Sequence, residues 1–481
     1  MKMFYPLFKR IEHLFKFGEF SNMIKSDYIL EHQLESGKLI LFNTVLFRLV
    51  VLNRSEYNSW ESNDLSGIPL EKSEFLRFHY FVFDDLSQKQ AIQGRIKKVL
   101  VRKKNCLPFV VFMLTERCNL ACVYCFQNRV IGERKLEFTK EGVDYFINAL
   151  LELQSTHTKP DNYSISIFGG EPLLPHNTSI LSYLYDKLDK HGFDTDIVTN
   201  ATNLPHFDEF FSKFGHRTKS IITTIDGPAR IHDQKRPYRN GQGSYQRIVE
   251  NLKWLVKHYP GIKININVLL DLTNVNLIPE LITSLLAEGL YNQPGVLLRF
   301  GRIQNRLNPA DNSTDELPYT HYYPTLLNLQ DICSEITDDM LIGSEMAFLG
   351  HLYRSWKSQT PLIPSLNGCK AVYPGRYCFY PDGKVYTCTD IAGISEYAIG
   401  SFIPQFEFND NSNGWKHYSV VDLKKCRNCK YLVICNGGCL VTNLCVNNDV
   451  QYSYCLDYER SLTLFFDCLQ QKGFFNERNY C

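Results

Sequence analysis

Three closely spaced cysteines, Cys118, Cys122 and Cys125 in the run TERCNLACVYCFQ, are the first residues of this 481-residue chain whose type and spacing could do chemistry. They follow PFVVFML (108 to 114), which reads as a buried strand, so they fall on the loop at a strand's C-terminal end. Thiolates hold iron-sulfur clusters, normally four to a cluster. Three on one short loop leave one iron of a 4Fe-4S cluster without a protein ligand. An open iron lets a small molecule bind through an amine and a carboxylate, beside a metal that can deliver one electron. The alternative is zinc, which favours paired CxxC motifs with a fourth Cys or His nearby. No histidine lies between residues 112 and 150.

Most of the other cysteines crowd toward the C-terminus: Cys369, Cys378, Cys388, then Cys426-xx-Cys429-xxxxx-Cys435-xxx-Cys439, and Cys455. A zinc ribbon through Cys426, Cys429, Cys435 and Cys439 would also satisfy tetrahedral sulfur geometry. The chain has 16 cysteines, and its N-terminal MKMFYPLFKRIEHLFKFGEF is broken by Lys9, Arg10 and Glu12 before an export signal could form. No apolar run approaches the length of about 18 residues that a membrane span needs. A cytoplasmic location follows, where thiols stay reduced and serve as ligands in preference to disulfides. Cys106, Cys333, Cys445, Cys468 and Cys481 read as ordinary thiols.

The elements that must position these groups begin with residues 27 to 52, two or three short strands around a Ser36-Gly37 turn. From residue 108 a β/α alternation sets in, with strands expected at 108 to 114, 164 to 170, 196 to 200, 220 to 227, 263 to 270 and 296 to 303. Residues 139 to 154 supply one crossover helix, with Thr139 as its cap and Val143, Phe146, Ile147, Leu150 and Leu151 on its apolar face. Residues 244 to 259 supply another. Parallel strands with helical crossovers close into a barrel, complete or partial, or stay an open sheet, and either form places ligands at the strands' C-terminal ends. Residues 304 to 319 read as a polar linker, followed by a helical bridge that includes 341 to 356. Lys plus Arg (52) balance Asp plus Glu (51), so no overall field draws the chain to nucleic acid or to an anionic membrane.

Together these residues resemble the radical SAM superfamily, whose signature CxxxCxΦC is met with Tyr124 as the aromatic Φ. The resemblance implies that the open iron chelates S-adenosylmethionine (SAM), whose reductive cleavage yields a 5′-deoxyadenosyl radical. Gly169-Gly170-Glu171-Pro172 matches the family's GGEP, in which glycines allow close backbone approach to the ligand and strand-end groups hold the SAM amino group; a plain Gly-Gly-acid turn is the alternative. TTIDGPARIHDQKR (223 to 236) is similar to the SIDGP…HDxxR segment of the peptide- and protein-modifying branch. That similarity puts Thr224 and Asp226 near the SAM ribose and Arg236 near its carboxylate, against a surface arginine.

The C-terminal cysteines resemble the SPASM extension, which carries auxiliary clusters. By that resemblance Cys426, Cys429, Cys435 and Cys455 hold one cluster and Cys369, Cys388 and Cys439 the other, with Cys378 the candidate fourth thiolate against a free thiol or an iron left open to substrate. Three 4Fe-4S clusters and SAM are therefore the cofactors implied. The fold implied is α/β, a partial (β/α)6 TIM-like barrel with a small N-terminal α+β domain and a Cys-rich C-terminal iron-sulfur domain. The segments are 1–105, 106–310 (core), 311–365 (bridge), 366–460 (auxiliary clusters) and 461–481 (tail).

Residues 380 to 402 resemble radical SAM/SPASM peptide maturases in particular. The implied partners are a peptide or protein substrate and an electron donor such as flavodoxin or ferredoxin. Residues 1–105 then become a candidate for binding a leader peptide at a sheet edge, against a purely structural cap. The rival enzyme is an anaerobic sulfatase maturase, and the rival of another class is a non-catalytic metal or electron-transfer protein. No general acid or base is named by the sequence, because that role is set by geometry first.

Overall fold

The computed structural model describes residues 22–101, 109–127, 135–156, 164–309, 315–342, 347–360, 362–364, 366, 368–373 and 375–475. The N-terminal run read for an export signal, Cys106 and Cys481 lie outside these residues.

Three antiparallel strands open the fold: β1 (Ile29–Gln33), β2 (Leu39–Asn43) and β3 (Arg48–Leu52). Gly37 makes the first turn at φ +77°, where a side chain would be strained. Every residue of β2 is buried because its alternating side chains serve two cores. Leu39 and Leu41, with Val50 and Leu52, pack against Trp60 and Leu76, carried by α1 (Arg54–Glu61) and α2 (Leu70–Phe78). Asn53 and Glu56 start α1 with a reciprocal capping box, and Asp85 caps α3 (Leu86–Leu100). Ile40 and Phe42, with Leu49 and Val51, face the opposite way, into the main core.

The six expected strands all form: β4 (Phe109–Met113), β5 (Ser164–Phe168), β6 (Asp194–Val198), β7 (Thr218–Thr224), β8 (Lys263–Leu270) and β9 (Val296–Arg302). They are parallel and lie side by side in chain order. The crossovers are α4 (Lys140–Thr156), α5 (Thr178–Lys190), α6 (Asp208–Phe214), the pair α7 (Ala229–Lys235) and α8 (Tyr245–His258), and α9 (Ile278–Ala287). Thr139 caps α4 as expected, its hydroxyl accepting from the Gly142 amide at 3.1 Å.

Strand β6 ends two residues before the expected limit of 200, because the Asn200 amide turns to a buried carboxylate described below, while Thr199 N–H still bonds Ile222 O of β7. One face of the sheet carries Ile165, Ile167, Ile197, Ile221, Ile264, Ile266 and Val268 into the core. On the other face β5 to β9 carry polar residues, among them Ser166, Asp196, Ser220, Asn265, Asn267 and Arg299. A parallel sheet covered on both faces reads as continuous apolar runs. Only β4 fits that pattern, its Val111 and Met113 packing on this face into a second small core with Phe168.

Two helices, α10 (Tyr322–Ile332) and α11 (Ala347–Ser358), lead to the Cys-rich region. Its first strand, β10 (Arg376–Phe379), pairs in parallel with β4, and β11 (Lys384–Tyr386), β12 (Gly400–Ser401) and β13 (Glu407–Phe408) continue antiparallel. One ten-stranded sheet results, in the order β9-β8-β7-β6-β5-β4-β10-β11-β12-β13, with β9 and β13 as its edges. Short helices α12 (Asn411–Lys416), α13 (Leu432–Cys435) and α14 (Leu440–Asn447) follow, Cys426, Cys429, Cys439 and Cys455 lying on the turns around them and Cys435 at the end of α13, and α15 (Tyr458–Gln471) closes the described chain.

Helix α15 occupies most of the stretch expected as a tail. Its Phe466 and Trp356 of α11 each meet Phe42 edge-on at 5.7 Å, and Asp467 bonds His32 at 2.7 Å. The second face of the N-terminal sheet is therefore covered by the C-terminal helix. Among the described residues no helix is long and apolar enough to cross a membrane.

Candidate active site

Cys118, Cys122 and Cys125 lie on the loop that leaves β4, at the C-terminal end of the parallel strands. The segment after α7 clamps this loop through backbone bonds: Ala121 N–H to Pro237 O at 2.8 Å and Val123 N–H to Lys235 O at 3.0 Å. Arg239 Nε adds a bond to the Cys118 carbonyl at 2.7 Å. Burial pushes the Cys118 thiol up to about 12, and the nearby Glu171 carboxylate adds to the effect. Cys122 is raised by the same burial although Arg236 opposes it.

Thiolates so placed form only with a positive partner, which bound iron supplies. Two buried polar atoms near the loop, Arg236 Nε and Gln127 Nε2, have no hydrogen-bond partner among the described residues. The donor set therefore fits an iron-sulfur cluster with a small polar ligand beside it. Among the described residues no three His, Cys, Asp or Glu side chains converge as ligands of a single ion would. A cluster spreads its thiolates over several irons and has no such need.

Gly169-Gly170-Glu171-Pro172 follows β5. The Gly170 amide bonds Thr115 O at 2.6 Å and the Glu171 amide bonds Arg117 O at 2.8 Å. A Cβ on Gly169 (φ +150°) would stand 2.6 Å from Thr115 O, and one on Gly170 2.2 Å from Arg117 O. The close approach that these glycines permit is thus to the backbone leading into Cys118. Pro172 is buried and its carbonyl accepts from Asn177 Nδ2 at 3.2 Å.

Glu171, 1% exposed, accepts from Thr199 Oγ1 and the Asn200 amide at 2.6 Å and from the Leu173 amide at 2.8 Å. Burial nevertheless raises its carboxyl to about 7. Asn200, so anchored, extends Nδ2 to Asn119 Oδ1 at 2.8 Å and toward Cys118 Sγ at 3.9 Å. Glu171 thus positions the cysteine loop. Glu171→Ala is expected to lower unfolding stability, since each buried donor left unpaired costs about 1–3 kcal/mol. Urea denaturation of the purified variant checks this, and an unchanged midpoint would remove the positioning role.

At the end of β7, Asp226 accepts the Tyr124 hydroxyl and the Leu269 amide, the latter at 2.9 Å. Arg236 Nη1 donates to the same Tyr124 oxygen at 2.9 Å. The Asp226 carboxyl is raised by burial and held back chiefly by the Arg236 charge. Arg236 is 8% exposed, which excludes the surface arginine. Thr224 lies half-buried, paired with Asn267 of β8.

Sequence reasoning missed Asn200, His232 and Ser244. His232 accepts from the Asp226 amide at 3.3 Å and meets Ser244 Oγ at 3.1 Å, while Ser244 donates to Arg236 O at 2.6 Å. Burial, aided by Arg236, holds His232 down to about 3, so it stays neutral and acts as a bracket for Asp226 and Arg236. The signal was present, since His232 belongs to the same HDxxR run as Arg236.

The C-terminal cysteines divide into two groups. Cys378, 2% exposed, is raised by burial and then by Cys388; Cys388 is raised to about 12 by burial, with Cys369 among its charged neighbours; Cys369 in turn has Cys439 beside it. In the second group, burial pushes Cys435 up to about 12, with Cys426, Cys455 and Cys429 adding to the effect. Cys378 thus has Cys388 as its nearest charged neighbour. Arg306 sits beside Cys439 and Cys388 and is ion-paired with Asp390.

The radical SAM superfamily pattern matches residues 112–278, which span β4 to the start of α9 and contain the three-cysteine loop, the GGEP turn, Asp226 and Arg236. The chain carries a radical SAM domain over these residues. Its Cys-rich C-terminal region fits the SPASM type. The chain is 25% identical to a cysteine-type anaerobic sulfatase-maturating enzyme of Clostridium novyi, over 69% of this chain and 87% of that one. It is 22% identical to the radical SAM cyclopropyl synthase TigE of Paramaledivibacter caminithermalis, over 88% and 89%. It is 26% identical to the mycofactocin maturase MftC of Mycobacterium tuberculosis, over 68% and 76%. The fold matches the solved structure of native anSMEcpe with bound AdoMet at a TM-score of 0.56 and 20% identity, covering 76% of this chain and 98% of that one.

Proposed function

We propose that this radical SAM enzyme modifies a ribosomally made peptide by hydrogen abstraction, holding a catalytic 4Fe-4S cluster on Cys118, Cys122 and Cys125. The observation that carries the reading is the set of three half-buried thiols at the strand ends, beside a buried arginine with an unpartnered Nε. With SAM on its open iron, such a cluster supplies one electron and a 5′-deoxyadenosyl radical. Arg236, steadied by Tyr124 and Ser244, offers its guanidinium to the SAM carboxylate. Thr224 and Asp226 hold the ribose side, and Gly169 to Pro172 close the amino-group side. The polar face of the sheet, Ser166, Asp196, Ser220 and Asn267 included, receives the substrate.

Two auxiliary 4Fe-4S clusters complete the reading, one on Cys426, Cys429, Cys435 and Cys455, the other on Cys369, Cys378, Cys388 and Cys439. The neighbour relations of the two thiol groups support this division. Electrons come from a flavodoxin- or ferredoxin-like donor in the cytoplasm.

Residues 1–105 take the leader peptide. Among the described residues strand β1 has a ladder partner on one side only, so an extended segment can add to its other edge. The match to the cyclopropyl synthase spans 88% of this chain against 69% for the sulfatase maturase, which supports a peptide substrate. Sulfatase maturation is the second reading, favoured by the named relatives and by the fold match.

Anaerobically reconstituted protein is expected to bind about twelve irons and, once reduced, to release 5′-deoxyadenosine from SAM. A preparation that holds zinc and no iron would refute this. Mass analysis after incubation with a neighbouring-gene peptide or with a sulfatase peptide separates the two readings, since only the second predicts formylglycine.

A further inference from the structure

Between the two groups of C-terminal cysteines stands Tyr418. Its hydroxyl is buried and has no hydrogen-bond partner among the described residues. The run Cys435-Asn436-Gly437-Gly438-Cys439 gives one cysteine to each group, and the Tyr418 oxygen lies against its midpoint: a Cβ on Gly437 would stand 1.9 Å from it. Gly437 has φ +85°, so a side chain is disfavoured there on both counts. On the other side the ring meets Gly368, next to Cys369, where a Cβ would be 3.0 Å away. The cysteines that bear on the phenol electrostatically are Cys426, Cys435 and Cys369, in that order. A buried hydroxyl without a partner is costly, and natural proteins rarely leave one so unless a ligand answers it.

We infer that Tyr418 donates its O–H to a sulfur of the iron-sulfur cluster held by Cys426, Cys429, Cys435 and Cys455, on the side that faces the Cys369 group. The inference rests on the auxiliary clusters proposed above and assigns Tyr418 a positioning and tuning role. A hydrogen bond to cluster sulfur favours the reduced, more negative state and raises the reduction potential. Tyr418 therefore makes this cluster the resting place for an electron shared between the two auxiliary sites. Gly437 is the residue that admits the hydroxyl.

The test is a redox titration of the reconstituted holoenzyme followed by electron paramagnetic resonance, comparing the natural protein with Tyr418→Phe. The iron content should be unchanged. The ratio of reduced to oxidised cluster at a fixed potential should fall roughly tenfold for the Cys426 group, a shift of about 59 mV for one electron. Unchanged potentials with full iron overturn the inference. If Tyr418→Phe loses iron, site-specific 3-fluorotyrosine at position 418 decides the matter. Its more acidic phenol should move the potential upward, and no movement overturns the proposal. A natural protein that never takes up auxiliary iron fails at the earlier step and removes the clusters themselves.

Discussion

On the proposed function, exchange of Cys118, Cys122 and Cys125 together for alanine is expected to abolish 5′-deoxyadenosine production while the iron of the C-terminal sites stays in place. The loss is complete because no other thiol shares that loop. The auxiliary iron should survive because its proposed cysteines sit on later segments, from Cys369 before β10 to Cys455 before α15. The loop itself should persist, since Ala121, Val123 and the Cys118 carbonyl hold it to the segment after α7 through bonds that need no thiol. Iron analysis and chromatography of the SAM products on one preparation read both outcomes. Residual 5′-deoxyadenosine would move the catalytic cluster elsewhere, and loss of all iron would show that the three sites load together.

Deletion of residues 1–105 is expected to leave an insoluble chain without clusters. A separable leader-binding module predicts the reverse, a soluble truncated enzyme that still cleaves SAM. The shared core decides between them. Leu30, Ile40, Phe42, Phe47, Leu49 and Val51 are buried in the same cluster as Trp356, Phe465 and Phe466. Full burial of one such side chain is worth about 1.5–3 kcal/mol. Together the six come to about 9–18 kcal/mol, comparable with the whole stability of a typical domain, about 5–15 kcal/mol. The deletion also strips α15 of the sheet it covers, exposing Phe466 and Trp356 to solvent. Soluble yield and visible absorbance of the truncated protein are the measurements, and a soluble, iron-bearing product would restore the separable module.

The sequence made the parallel core legible because its signals are local. Each strand from β4 to β9 is a short β-branched run, and Thr139 and the apolar stripe of α4 can be read from spacing alone. The cysteine loop was equally plain, since strand, loop and thiols are contiguous. Missing were the relations that cross long distances. Nothing near Cys378 says that β10 pairs with β4, and nothing in residues 458 to 471 says that Phe466 faces Phe42. Asn200 looked like the end of a strand because ILE-VAL-THR periodicity runs into it; only the buried Glu171, 29 positions earlier, draws it out of the ladder. The glycines of the GGEP turn were legible as a close approach, but what they approach is the backbone of Thr115 and Arg117.

The pairing of β10 with β4 sets a schedule for biosynthesis. Phe109 finds its partner only when Arg376 has been made, after more than half the chain's length of intervening sequence. At ribosomal rates of about 5–20 residues per second, that interval is roughly 13–50 s. Throughout it, β4 presents a bare edge, the kind of template on which nascent chains pair wrongly with one another. The catalytic cysteines hang from that same strand, so during this interval they are attached to an unfinished sheet. On the proposed function, iron delivery to Cys118, Cys122 and Cys125 competes in time with misassociation of the edge, and slow translation of residues 114 to 375 lengthens the hazard.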